Sequence, residues 1–124
     1  MSVSPPQDTL ARSADAARTA ELARRWRHDG DRQAREALFV RFLPLARKLA
    51  GRYPNAREPR EDLVQVASIG LLGAIDRFDP DREVRFSSFA VPTILGELRR
   101  HFRDTGWSVH VPRGAQELLS LIHI

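Results

Sequence analysis

The residues whose types and spacing bear on chemistry lie between Val84 and Arg113, in VRFSSFAVPTILGELRRHFRDTGWSVHVPR. A helix opened by Ser87 turns about 100° per residue, which places Ala90, Val91, Ile94, Leu95, Leu98 and Phe102 on one side as an apolar stripe that needs a core to cover it. The opposite side carries Phe89, Thr93, Gly96, Arg99, Arg100 and Arg103. One aromatic ring thus stands outside the core among arginines, beside a position with no side chain. The chemistry this pattern suits is recognition: a guanidinium answers phosphate, and a flat ring stacks on an unpaired base.

Catalysis has no comparable support. The chain lacks a glycine-rich phosphate loop, HExxH, GxSxG and paired His or Cys ligands. His28, His101, His110 and His123 are scattered singly, so no catalytic residue, metal or cofactor is expected. The 124 residues, 42% hydrophobic and 29% charged, fit one globular domain. A net charge of +4 favours a polyanionic partner, although a solvated arginine-rich surface explains it equally well. Lys48 is the sole lysine among twenty basic residues, which together with abundant alanine suggests G+C-rich coding and discounts some of the arginine. The absence of cysteine excludes disulfides and fits a reducing compartment. No apolar run reaches membrane-spanning length and MSVSPPQDTLARS lacks a signal-peptide core, so a cytoplasmic protein with no membrane partner is expected.

The elements that must position these residues follow in chain order. Residues 1–12 show no period and read as a flexible lead. From Ser13 or Asp15 to His28 an alanine-rich run favours a helix, with Leu22 and Trp26 on one face as core anchors and Gly30 ending it. Asp31 caps a second helix through Ala34, Leu38, Phe42, Leu45 and Leu49 to about Tyr53, which Pro44 is expected to kink or split. After a loop over 54–59, Pro59 opens a third helix, REDLVQVASIGLLGAIDRF, closed by Asp79, Pro80 and Asp81. Leu63, Val64, Val66, Ala67, Gly70, Leu71, Ala74, Ile75 and Phe78 form its core face. Asp62, Gln65, Ile69, Leu72 and Asp76 fall opposite. Aliphatics bracketed by carboxylates and an amide suit a protein contact in which the acids select a basic partner. The other reading is that these aliphatics touch the N-terminal helices. Beyond Asp104, Thr105 and Gly106, residues 107–113 read as extended and 114–118 as the opening of another helix. The fold class is therefore all-α, a compact bundle of about four helices packed through the third and fourth.

REDLVQVASIGLLGAIDRFDP followed by VRFSSFAVPTILGELRRHFRDTGWSVHVPR resembles region 2 of bacterial sigma factors of the sigma-70 family, the promoter-specificity subunits of RNA polymerase. The FAVPTILGELRRHFRDTGWSVHVPR variant is similar to the general-stress and sporulation branch, and the similarity covers Glu36 to Glu117. The resemblance implies that the helix bearing Asp62, Gln65, Ile69, Leu72 and Asp76 docks on the clamp helices of the largest subunit of core RNA polymerase. Val66 and Ser68 replace an acid and an asparagine of housekeeping members, which bears on how strongly it docks. It implies that Phe86 and Phe89 capture flipped bases of the non-template strand of the minus-ten promoter element, and that Arg85, Arg99, Arg100 and Arg103 meet phosphates or base edges. Pro92 and Thr93 stand where housekeeping members carry two tryptophans that wedge the bubble, and Gly96 replaces a base-reading glutamine. Trp107 and His110 resemble residues near the upstream duplex, although Trp107 capping the core is an equal reading. Anti-sigma factors commonly hold this branch inactive, so the resemblance admits such a partner, although no residue points to one.

The expected organisation is a lead over 1–12, a region-2 domain over 13–113 and the start of a following domain over 114–118. The tail LSLIHI, 119–124, matches one reading frame of a transposon-end sequencing adapter and is expected to be non-native. Two rival functions stand beside the sigma reading. One is a helix-turn-helix regulator that places Arg99, Arg100 and Arg103 in the major groove of closed duplex; the other is a purely protein-binding fragment.

Overall fold

The computed structural model describes residues 7–53 and 58–105. Four helices account for most of them: α1 (Gln7–Asp29), α2 (Arg32–Ala50), α3 (Arg60–Arg77) and α4 (Phe86–Asp104), with no strand among the described residues. Helix α1 begins well before the expected start at Ser13, directly after the Pro5-Pro6 pair in the sequence.

Gly30 ends α1 in the left-handed region at φ 65°, where its N–H bonds the Trp26 carbonyl at 3.0 Å. Asp31 follows at once as the N-cap of α2, its carboxylate accepting from the N–H groups of Gln33 and Ala34 at 3.0 and 3.3 Å. The turn between the first two helices is therefore as short as the chain allows. Helix α1 is tied down farther back by Arg41 of α2, which donates to the buried Thr19 hydroxyl at 3.1 Å and pairs with the Asp15 carboxylate.

Pro44 does not split α2, which runs through it to Ala50; of the two outcomes expected, a kink or a split, the split does not occur. The carbonyl that loses its helical partner belongs to Val40, whose side chain is 69% exposed, and Pro44 is itself exposed. The missing bond falls on the solvent side, while Leu38, Ala46 and Leu49 hold the other side in the core.

Helices α3 and α4 form the centre of the bundle. Leu63, Val64, Ala67, Gly70, Leu71, Ala74 and Ile75 are buried on α3, with Phe78 just beyond its end. Val66, expected in this set, is only partly buried. On α4 the buried residues are Ala90, Val91, Ile94, Leu95, Leu98 and Phe102, as the period requires, together with Phe86. Trp26 packs against this core without being fully enclosed.

At Gly70 the two helices lie close together. A Cβ there would lie 2.9 Å from the Ile94 Cα and 3.1 Å from the Glu97 Cβ, so the absent side chain is what lets the backbones approach. Gly96 is the opposite case: it is exposed on α4, and a Cβ would meet nothing within 4 Å. Urea unfolding should separate the two. Gly70→Ala is expected to destabilise by about 1 to 3 kcal/mol through overpacking, whereas Gly96→Ala should stabilise by about 0.5 to 1 kcal/mol through helix propensity.

Candidate functional site

Burial of one side of α3 and α4 fixes what the other side offers. On α3, Asp62 and Gln65 are exposed and Ile69 is 59% exposed, among the most exposed large hydrophobics in the described residues. Leu72 is half-buried. Glu61, at the start of the same helix, reaches Arg47 of α2 at 3.3 Å. The Ser68 hydroxyl donates back to the Val64 carbonyl at 2.7 Å, so it is occupied within its own helix.

Asp76 stays on the exposed side of α3 but is paired there. Its two carboxylate oxygens accept from Nε and Nη2 of Arg35 at 2.9 and 3.0 Å, and the Arg35 guanidinium lies over the Trp26 ring at 5.2 Å. Asp76 therefore joins α3 to α2 instead of presenting a free acid. The Arg35 hydrogen bonds hold its carboxyl below the usual range, with a smaller contribution from Trp26, and the same pairing raises the Arg35 guanidinium. The helical wheel of α3 alone hides this, because the partner arginine comes from another helix.

Arg85, the residue before α4, and Gly96, Arg99, Arg100 and Arg103 on it are exposed, and Thr93 is half-buried, its hydroxyl donating to the Phe89 carbonyl at 3.1 Å. Arg103 lies 3.8 Å from the Asp104 carboxylate, with both side chains largely in solvent. Phe86 does not join this face. It is 3% exposed, with ring centroids 4.6 Å from Phe42 and 5.2 Å from Phe78. The reason is its position four residues before Ala90, on the same stripe, once the helix starts at Phe86 and not at Ser87.

Phe89 is intermediate. One side rests on Phe78, centroids 5.8 Å apart, and the ring also lines an open cavity of about 270 Å³ with Arg27, Arg77, Asp79, Arg82 and Val84. Arg27 donates to the Phe78 carbonyl at 3.2 Å and Arg77 to the Gly73 carbonyl at 3.0 Å, while Arg82 lies 3.8 Å from Asp79. The ring thus has one supported side and one side facing a cleft rimmed by three arginines. Those arginines come from α1, the end of α3 and the α3–α4 connection, so no single helical period brings them together.

His101 meets Glu58 at 2.6 Å and His28 meets Asp81 at 3.2 Å. Among the described residues no group of three or more His, Cys, Asp or Glu side chains is arranged to hold a metal ion, and no helix is long and apolar enough to cross a membrane. Trp107 and His110 lie outside the described residues, as do 114–118 and the 119–124 tail.

Both faces belong to a segment that matches a known family model, sigma-70 region 2, over residues 38–108. The chain belongs to this family. It is 54% identical over 86 residues to the RNA polymerase sigma-F factor of Kitasatospora aureofaciens, covering 69% of this chain and 29% of that protein. It is 55% identical over 84 residues to the RNA polymerase sigma factor SigF of Mycobacterium tuberculosis, 68% of this chain and 32% of that one. With the RNA polymerase sigma-B factor of Bacillus subtilis it shares 50% identity over 88 residues, 71% of this chain and 34% of that one. These relatives are of the branch that the FAVPTILGELRRHF motif resembles. The chain spans about a third of the length of the curated relatives it matches.

The Asp76–Arg35 pair sets a pH dependence. Because the folded carboxyl titrates below its unfolded value of about 4, its contribution is complete above that pH and is lost as pH falls through the folded value. Asp76→Asn should lower stability by less than about 1 kcal/mol near neutrality, since the pair is partly solvated. In urea unfolding the difference from the parent chain should shrink toward zero in strong acid.

Proposed function

We propose that this chain is the part of an alternative sigma factor that binds core RNA polymerase through α3 and recognises and opens the minus-ten promoter element through α4. The role is non-catalytic and cytoplasmic. The observation that supports it most is the division of the α3–α4 pair into two outward faces of different chemistry. One bears Asp62, Gln65 and the protruding Ile69; the other bears Arg85, a half-packed Phe89, Arg99, Arg100 and Arg103.

On the first face Ile69 supplies the apolar anchor, while Asp62 and Gln65 select a basic, hydrogen-bonding partner, the clamp helices of the largest subunit. Asp76 supports the face from behind through Arg35 and makes no direct contact. On the second face the free side of Phe89 stacks on an unpaired base of the non-template strand. Phe86 acts beneath it: buried against Phe42 and Phe78, it fixes the first turn of α4 and so the height of Phe89. Arg27, Arg77 and Arg82 add positive charge around the cleft, and Arg99, Arg100 and Arg103 follow the phosphates. Opening is driven by binding, because stacking and phosphate contacts lower the energy of the unpaired strand relative to duplex. With Pro92 and Thr93 in place of an aromatic wedge, the burden falls on Phe89 and the arginines.

Fluorescence anisotropy with duplex and single-stranded minus-ten oligonucleotides, with and without core polymerase, tests this reading. Preference for the non-template single strand only with core present supports it; tight binding to duplex alone supports a helix-turn-helix regulator instead. Phe89→Ala is expected to weaken open-complex formation by roughly 5- to 100-fold, the range for one base–aromatic stack, with core binding unchanged. Gln65→Ala should weaken core binding and spare DNA contact within the assembled complex. Equal loss of both activities in each variant would mean that the two faces are wrongly divided.

A further inference from the structure

His101 and Glu58 are 43 residues apart in the chain, yet Nε2 of the imidazole lies 2.6 Å from Oε1 of the carboxylate. With side chains 26% and 20% exposed, theirs is the least exposed contact between a basic and an acidic side chain among the described residues. An ionised carboxylate only accepts, so Nε2 carries a proton and donates whether the ring is neutral or charged. Phe78 meets Phe86 and Phe89 while Gly70 faces Ile94 and Glu97, so α3 and α4 run antiparallel and the start of one lies beside the end of the other. Glu58 therefore stands before the positive end of α3 and His101 in the last turn at the negative end of α4, where each sign is favoured.

The end of α4 carries Arg100 and Arg103 exposed and is held from two directions. Phe102 rests on Tyr53, just beyond α2, with ring centroids 5.0 Å apart. His101, about 100° around the helix from Phe102, is held by Glu58 ahead of α3. The Thr105 hydroxyl closes the same turn, its oxygen 3.0 Å from the carbonyls of both His101 and Phe102. A helix end held at one point still rocks and twists about it; a second point on a different neighbour removes that freedom. Glu58 suits this task because Pro59 confines the residue before it to extended backbone and opens α3, its carbonyl accepting from the Asp62 N–H at 3.0 Å.

We propose that Glu58 and His101 are positioning residues for the arginines at the end of α4: their hydrogen bond fixes the rotation of the last turn and so the direction of Arg100 and Arg103 toward DNA. The inference rests on the assignment of α4 as the DNA-facing helix. The pair acts through the arginines and not on DNA. Cations carried by a helix end of fixed rotation have less freedom to lose on meeting phosphate than cations carried by a fraying one. The end of α4 that faces DNA is thus set by the residue that precedes α3.

Two readouts test this, and the first is independent of DNA. In hydrogen–deuterium exchange, the peptide spanning 99–105 should exchange about tenfold faster in Glu58→Ala, the effect of losing one hydrogen bond to a charged group. Unchanged exchange would overturn the proposal, whatever the protein binds. His101→Gln keeps a donor for the carboxylate and should stay closer to the parent than His101→Ala; equal acceleration in both would mean that the hydrogen bond does not hold the turn. The second readout is anisotropy of a fluorescein-labelled A+T-rich fork-junction oligonucleotide bound with core polymerase. Glu58→Ala should weaken fork binding about 3- to 10-fold, with affinity for core in the absence of DNA unchanged. It should cause no further loss in an Arg100→Ala, Arg103→Ala background. A pair that merely stabilised the fold would lower core and fork binding together, so equal losses of the two, or the same loss without the arginines, would overturn the proposal. If the parent chain with core does not bind the fork, the reading of α4 as DNA-facing falls, and the exchange result alone decides whether the anchor exists.

Discussion

The approach of α3 to α4 at Gly70 determines which residues of the molecule face outward. With 2.9 Å between an imagined Cβ and the Ile94 Cα, the helices meet backbone to backbone with no room for a side chain between them, so neither can rotate about its axis without collision or a void. Rotation is what assigns each residue to the inside or the outside. Once Gly70 is set against Ile94, Leu63, Ala67, Leu71 and Ala74 are committed to the core on one helix, and Ala90, Val91, Leu95 and Leu98 on the other. Ile69 and the Arg99–Arg100 pair are then exposed by necessity. The two outward faces are consequences of one packing contact.

A second constraint sets the height of Phe89 rather than its direction. Phe42, Phe86, Phe78 and Phe89 form a chain of ring contacts that starts on α2 and ends at the surface of α4. The first three rings are enclosed or packed against the core and the last is half open. A ring supported on one side keeps its orientation without spending freedom on binding, which makes it a better stacking platform than a solvated one. The Arg35–Asp76 pair holds the end of α3 to α2 nearby, so the support for Phe89 and the support for the α3 face are mechanically joined.

The core face of α4 was legible residue by residue because a 19-residue helix with Ala90, Val91, Ile94, Leu95, Leu98 and Phe102 in one stripe has only one way to bury them. The core side of α3 was equally legible, apart from the half-exposed Val66. What failed shares one physical origin: a single-helix period carries no information about neighbouring elements. Starting α4 at Ser87 hid that Phe86 continues the buried stripe. The outward place of Asp76 was legible on its own helix, but its pairing with Arg35 of another was not. The split expected at Pro44 was judged by its ring and not by the solvent on its side of α2. The arginine-rimmed cleft beside Phe89, drawn from three elements, gave no sequence signal at all.

The central claim is that the two outward faces meet different partners, and the most direct test is site-specific photo-crosslinking in an assembled initiation complex. With benzoylphenylalanine replacing Phe89 in one sample and Ile69 in another, position 89 should crosslink to the non-template DNA strand and position 69 to the largest polymerase subunit. Crosslinks from position 89 to protein alone, or from position 69 to DNA, would contradict the account.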